Sequence, residues 1–458
     1  MTNTLNASES MFRLLVPATD TTPPETPFVK LCGSRWVLTE YGSIPDASGA
    51  PVYTCISYSW GQGRTENILE GGLISDRTIP AIEATIKALL PLAIWVDALC
   101  APSDGPTREA CLLRMGAIYR SAANVCAVLS ESCVDLLDQI RNKNYANQEA
   151  LLFLESDDWI TRPWTYQETA NNQHIYFIAQ GSGDVAVADI DFLNAVLTST
   201  SAYKKAHELD SISLALQFPR VDSFENMIGE HTIAALLGRP AYQAMSEMYR
   251  RFSEQTEGFL YALIGAFSPL SSSSTYNLHP AEYFMQVCEE KGDYSFIYCA
   301  APRSEVPGRS WRPMAGHNPP LTSLLNVYGN GQSGCLKATH LQLDNMSRMI
   351  PRPKNFGTVQ AIGAFLESNI ANAVLERLKQ KGFSGCGDYL ELEDGLFFPQ
   401  SKLTRSDDLF VAVCEDVQWT NGGPGLLLRS NGTDINQFCD VGVFVGRFPK
   451  TRESVNVG

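Results

Sequence analysis

No two cysteines of this chain are spaced C-x-x-C, and no histidine stands at zinc-finger distance from a cysteine pair. Zinc fingers and dithiol redox motifs are therefore not expected. The six histidines are scattered, and none lies at triad spacing from a cysteine. Neither a G-x-S-x-G elbow nor a Walker loop occurs, so the common hydrolase and phosphate-loop chemistries have no foothold. The longest apolar stretch, "IKALLPLAIWVDALC", is broken by Pro91 and Asp97 and falls short of a membrane span. "MTNTLNASESMFRLL" lacks the charge and apolar core of a signal peptide. Basic residues are also in deficit: 35 Lys and Arg face 50 Asp and Glu, a net charge of −15. Such a balance argues against a nucleic-acid groove and against docking on anionic membranes. Small molecules and protein partners remain.

Twelve cysteines are present, but their context is not that of a disulfide framework. Cys55, Cys100, Cys126 and Cys414 lie inside apolar, strand-like runs, where a free thiol behaves as a small hydrophobe. A reducing, cytoplasmic setting is expected, which would make the sequons at Asn6, Asn345 and Asn431 accidental. With 458 residues, 44% of them hydrophobic and 19% charged, the composition is that of a globular protein of two or three domains.

Residues 1–50 read as an extension, proline-rich in part, with one strand or hairpin around "RWVLTEY". From 51 to 185 the pattern tightens. "VYTCISYSW", "LAIWVDAL", "NVCAVLS" and "QHIYFIA" are short apolar runs typical of buried strands. Between them "IPAIEATIKALL", "TREACLLRMGAIYRSA", "QEALLFLES" and "RPWTYQETAN" carry helical spacing, and Pro80 suits the first turn of its helix. Alternation of this kind predicts an α/β fold, an open parallel sheet with helices on both faces. Ligands of such sheets bind beyond the carboxyl ends of the strands, here at Trp60-Gly61, at Asp97 to Cys100, and before Glu168.

A helical region spans 186–315, with a serine loop "SPLSSSSTY", and 316–458 is β-rich, interrupted by one amphipathic helix near 358–380. "GNGQSG", residues 329–334, matches G-x-G-x-x-G by letter. The strand-like "CLKATHLQL" follows it, so the helix N-terminus that would hold a pyrophosphate is missing.

Four blocks in order, "ISYSWG", "IWVDALC", "RMGAIYRSAANV" and "RPWTYQE", make residues 52–180 resemble the heterokaryon incompatibility (HET) domain of fungal proteins. The family pattern runs Ser-Tyr-x-Trp-Gly, Trp-Ile-Asp-x-Leu-Cys, Met-x-x-Ile-Tyr, Arg-x-Trp-Thr-x-Gln-Glu. One departure is "APSDGP" after Cys100, where the family usually continues Ile-x-Gln-Asp. The resemblance implies a role in the death of genetically unlike fused cells. It also implies a distant kinship with TIR domains, whose fold is flavodoxin-like and some of which cleave NAD with a glutamate placed as Glu168 is here.

On that implication Glu168 is the candidate catalytic carboxylate. Ser57, Tyr58, Trp60, Gly61, Asp97, Cys100, Arg162 and Trp164 are the candidate ligand contacts. Breaking the nicotinamide–ribose bond passes through a cationic sugar, which a carboxylate stabilises. The leaving group departs neutral, so no general acid is strictly needed; no metal or cofactor is required, and NAD enters as substrate. Trp164 and Glu168 are one helical turn apart and share a face.

Plainer readings stand beside these. Glu168 pairs with Arg162 on the surface, Trp159, Trp164 and Tyr166 pack as core, and Asp97 caps the next turn through backbone amides. The other function class is a non-catalytic, self-associating adaptor that meets a protein partner in incompatibility signalling.

Overall fold

The computed structural model describes residues 12–42, 50–103, 105–181 and 185–209. Beyond these it describes shorter stretches, chiefly 240–249, 256–267, 279–299, 340–349, 409–419, 424–431, 434–446 and 451–458. The chain divides into two units, Met1–Thr232 with Arg251–Tyr276, and Ile233–Arg250 with Asn277–Gly458.

The first unit is built on an eight-stranded sheet. Its strands are β1 (Phe12–Pro17), β2 (Phe28–Leu31), β3 (Ser34–Tyr41), β4 (Thr54–Tyr58), β7 (Ile94–Trp95), β8 (Asn124–Leu129), β9 (Ile175–Ala179) and β10 (Val187–Ala188). A separate hairpin joins β5 (Arg64–Glu66) to β6 (Leu73–Ser75). The four apolar runs read from the sequence form the parallel core, in the spatial order β7-β4-β8-β9. Thr54 to Tyr58 pair with Asn124 to Val128, and Val125 to Leu129 with Ile175 to Ala179. Both faces of these strands are covered, which is why they read as continuous hydrophobic runs.

Numbered along the chain, the parallel strands lie in the order 2-1-3-4, as in the first four strands of a flavodoxin-like sheet. The order reverses between β4 and β8, so the crevice that such sheets offer to ligands opens at the ends of these two strands.

Helices lie on both faces. α1 (Thr78–Leu89) covers the side to which Ile56 and Tyr58 point, the Tyr58 hydroxyl meeting Thr78 Oγ1 at 2.7 Å. α2 (Asp97–Cys100) is a single turn, and α3 (Gly105–Ser121) lies on the opposite side, where Cys55 Sγ meets the Ile118 carbonyl at 3.8 Å. α4 (Val134–Lys143), α5 (Gln148–Ser156), α6 (Asp158–Thr161) and α7 (Pro163–Ala170) connect β8 to β9, and α8 (Asp189–Ala206) follows β10.

Two features depart from the sequence reading. Residues 12–41, expected to lie in an extension, supply three antiparallel strands of the sheet, with β1 pairing β7 at Leu15 and Ile94. Phe12, Leu14 and Leu15 are buried there, and buried Arg13 donates from Nε to the Cys100 carbonyl at 3.0 Å and pairs with Glu70. "LAIWVDAL" contains a strand of two residues only, because the chain turns into α2 at Asp97.

After α9 (Ala241–Tyr249), which belongs to the second unit, the chain returns to the first as α10 (Thr256–Phe267). α10 packs on α7 and α3 and buries Leu260, Leu263 and Ile264. Gly265 lies so close to α7 that a Cβ there would fall 1.8 Å from Gln167 Nε2.

In the second unit, α11 (Pro280–Lys291) accompanies a nine-stranded antiparallel sheet. Asp293 ties the start of α9 to this unit, accepting from the Ala241 amide at 2.7 Å and from the Ser295 amide and hydroxyl at 2.9 and 2.6 Å. The segment from Gly334 is a strand hairpin, Gly334–Lys337 against His340–Met349, so no helix follows "GNGQSG". The helix expected near 358–380 and the serine loop lie outside the described residues. No described helix is long and apolar enough to cross a membrane.

Candidate functional site

Side chains of a strand alternate between its two faces, and β4 uses this to separate two jobs. Tyr58 turns toward α1 and is held there by Thr78. Ser57 turns to the other face, where its Oγ accepts from Trp159 Nε1 at 2.8 Å. Trp159 is fully buried, edge-on to Phe177 and Phe224. Asp157 fixes this turn, accepting from the Trp159 amide at 2.8 Å through one oxygen and from the Ser130 amide at 2.9 Å through the other. The end of β8 and the start of α6 are thereby locked together.

α7 begins at Pro163, whose missing amide hydrogen suits a first helical position. Thr165 Oγ1 donates back to the carbonyls of Trp159 and Arg162, at 2.7 and 2.8 Å. Sandwiched between sheet and α10, the helix buries Thr165, Tyr166, Gln167, Glu168 and Thr169 in succession.

Glu168 is only 5% exposed, and its Oε2 has no hydrogen-bond partner. Burial pushes its carboxyl up to about 8. The Ser57 hydroxyl partly offsets this, the charge of Asp97 adds to it, and the Tyr119 hydroxyl lowers it again. The surface reading, in which Glu168 pairs with Arg162, is corrected by this placement: Glu168 makes no ion pair among the described residues. The positive charge of Arg162 acts on Asp97 instead.

Asp97 stands where β7 ends. Its Oδ1 accepts from the Ala98 amide at 2.7 Å, and its Oδ2 from Trp60 Nε1 at 2.9 Å. Asp97 is the first residue of α2 and not its cap, so one oxygen meets only the next backbone amide, while the other fixes the indole at the end of β4. Desolvation raises this carboxyl above its ordinary value, against the lowering effect of the Ala98 amide, the Trp60 indole, Arg108 and Arg162.

The structure therefore brings Ser57, Trp60, Gly61, Asp97, Arg162 and Glu168 to one edge of the parallel sheet. Trp164 and Arg162 are half-buried at the start of α7. Tyr58 lies on the α1 side of β4, its hydroxyl held by Thr78 yet still within reach of the charges of Asp97 and Glu168. Cys100 is packed inside, with Sγ against the Val96 amide at 3.5 Å and the Ile94 carbonyl at 3.7 Å. Burial pushes its thiol up to about 12, so it is not a nucleophile at neutral pH.

Two groups escaped the sequence reading. Tyr119, within the helical run "TREACLLRMGAIYRSA", lies beside Glu168 and donates to the Ile56 carbonyl at 3.1 Å. Ser59, one residue before Trp60, is buried with its hydroxyl unpartnered. No local pattern marks either one, since each acquires its role only when α3, α7 and β4 meet.

No curated protein and no solved structure matches the chain significantly. One family model matches a segment that includes β4, β7 and β8 with Ser57, Trp60, Gly61 and Asp97, and that ends before Glu168. Residues 53–152 match the family model described as "Heterokaryon incompatibility protein (HET)", a likeness confined to this part of the α/β unit.

Proposed function

We propose that the HET-bearing unit is a cytoplasmic effector of incompatibility that cleaves NAD at the nicotinamide–ribose bond, with Glu168 as the central carboxylate. The observation that carries this reading is the buried, unpartnered Oε2 of Glu168 behind the strand-end crevice. A carboxyl deprived of water and of a cation is costly, and such groups concentrate at functional sites.

In the reaction the bond between ribose C1′ and the ring nitrogen breaks, and its electron pair leaves with neutral nicotinamide. The ribose is left cationic, and ionised Glu168 stabilises that charge. Water then adds at C1′ and releases its proton to solvent. The positively charged pyridinium of the bound substrate favours the ionised form of Glu168, countering its burial. Ser57 orients the carboxyl through its hydroxyl hydrogen, Tyr119 stands beside it with its own hydroxyl held on the Ile56 carbonyl, and Trp164, a turn away on α7, supplies an aromatic wall.

The test is nicotinamide release from NAD by the full-length protein, assembled on a multivalent support so that an activity dependent on self-association is not missed. Wild type is expected to release nicotinamide and Glu168→Gln to release none. An assembled wild-type sample without release would overturn the enzyme reading and leave the self-associating adaptor.

A further inference from the structure

The chain as a whole is acidic, yet arginines gather where the parallel strands end. Arg64 lies over Trp60, its guanidinium carbon 5.6 Å from the ring centre, and donates to the carbonyls of Gly61 and Gly63 at 3.0 and 2.8 Å. Arg77 lies flat against Gly61, where a Cβ would fall 2.7 Å from its Nε. Gly61 has φ +61°, so lack of a side chain serves both the turn and this approach. Arg108 donates to the Pro102 carbonyl at 3.1 Å, and Arg108 and Arg162 both act on Asp97. Three acids offset part of this charge: Asp97 itself, Asp158, 3.2 Å from Arg77, and Asp76 beside Gly63. Arg64 and Arg108 meet carbonyl groups but no carboxylate among the described residues.

A second observation lies within the same loop. Ser59 is 4% exposed and its hydroxyl has no partner, and the unpartnered Oε2 of Glu168 belongs to the same face of β4. Buried polar groups are normally satisfied. Two such atoms at the strand end where Arg64 and Arg108 make no ion pair among the described residues describe a binding site for something both anionic and rich in hydroxyls.

We infer that the Trp60–Gly61 mouth binds the phosphorylated portion of a small-molecule ligand, with Arg64 and Arg108 as its principal charge contacts and Ser59 as a polar contact behind them. Guanidinium groups suit phosphate because their planar fork donates two parallel bonds. Arg77 and Arg162 surround the same loop and add to the local potential. The inference rests on the reading of this crevice as the ligand site, and its test is arranged so that the two can fail separately.

The experiment is calorimetric titration of full-length Glu168→Gln with ADP-ribose, with inorganic phosphate and with uncharged adenosine, each at low and at high salt. Expected are saturable binding of ADP-ribose that weakens with salt, competition by inorganic phosphate, and no binding of adenosine. Arg64→Gln and Arg108→Gln are each expected to weaken ADP-ribose about tenfold or more, as loss of a charge-assisted hydrogen bond does. Their thermal midpoints, measured beside the parent, are expected to stay put, because neither side chain makes an ion pair among the described residues. Equal affinity for adenosine and ADP-ribose, failure of both to bind, or indifference to both arginine changes would overturn the inference. Failure of this kind with nicotinamide release intact removes the arginine assignment alone. Intact binding without release removes the cleavage reading alone.

Discussion

Ser57 accepts a hydrogen bond from Trp159 Nε1 at 2.8 Å, which leaves its own hydroxyl hydrogen to turn toward Glu168. One small side chain thus joins the aromatic core to the carboxyl that the core buries. Ser57→Ala should strand a buried indole N–H and cost roughly 1–3 kcal/mol of stability. It should also move the Glu168 carboxyl above about 8, because a lowering partner is gone. Denaturant unfolding checks the first effect and carboxyl NMR titration the second.

Stability should respond to pH through Glu168 with a definite sign. Its carboxyl is raised from 4.5 to about 8 in the folded chain. Between these values the unfolded chain sheds the proton and the folded chain keeps it, so stability falls as pH rises, and the loss is complete above about 8. Glu168→Gln lacks this loss. The stability of Glu168→Gln relative to wild type should climb from pH 5 to pH 8 by an amount on the order of a few kcal/mol. A difference independent of pH would show that Glu168 is solvated. Glu225, whose carboxyl burial pushes up to about 7 against a 2.8 Å hydrogen bond from Thr200, changes stability in the same direction. It does so equally in both proteins.

Asp97 and Trp60 should be energetically coupled. The hydrogen bond from Nε1 to Oδ2 ends on a half-buried carboxylate, and bonds to charged groups are worth about 1.5–3 kcal/mol. A double-mutant cycle of Trp60→Phe and Asp97→Asn, read by equilibrium unfolding, should return a coupling of that order. Additive effects would mean that the indole is held by packing alone.

α10 should tolerate no side chain at 265. Gly265→Ala places a methyl group 1.8 Å from Gln167 Nε2 and 2.5 Å from its Cδ, and Gln167 is fully buried. Overpacking of this kind costs typically 1–3 kcal/mol. Gln167→Ala in the same chain should restore most of the loss, because its amide has no partner to forfeit. Thermal unfolding of the single and double variants gives the answer.

The parallel core was legible because strands covered on both faces announce themselves as apolar runs, as "TCISY" and "NVCAVL" do. β1 was harder, since "FRLLVP" contains an arginine whose burial makes sense only beside Glu70 and the Cys100 carbonyl. α4, "VDLLDQIRNK", went unread in the sequence, although Leu136, Leu137 and Ile140 form its buried side. For the site, sequence order placed Trp60, Asp97 and Glu168 at one sheet edge, as strand ends of an α/β fold require. It did not show that Glu168 is buried. That depends on Ser57, Tyr119 and the covering of α7 by α10, a contact between residues nearly a hundred positions apart in the chain.

The role of Glu168 as the cleaving carboxylate is tested most directly by the pH dependence of nicotinamide release from the clustered, full-length protein. If the ionised form acts, kcat/KM should rise with pH and level off above about 8, the free-protein value of Glu168. The kcat profile should titrate lower, because the bound pyridinium cation stabilises the carboxylate. Glu168→Gln should abolish release at every pH. Release that survives this substitution, or none from the clustered wild type between pH 5 and 9, would contradict it.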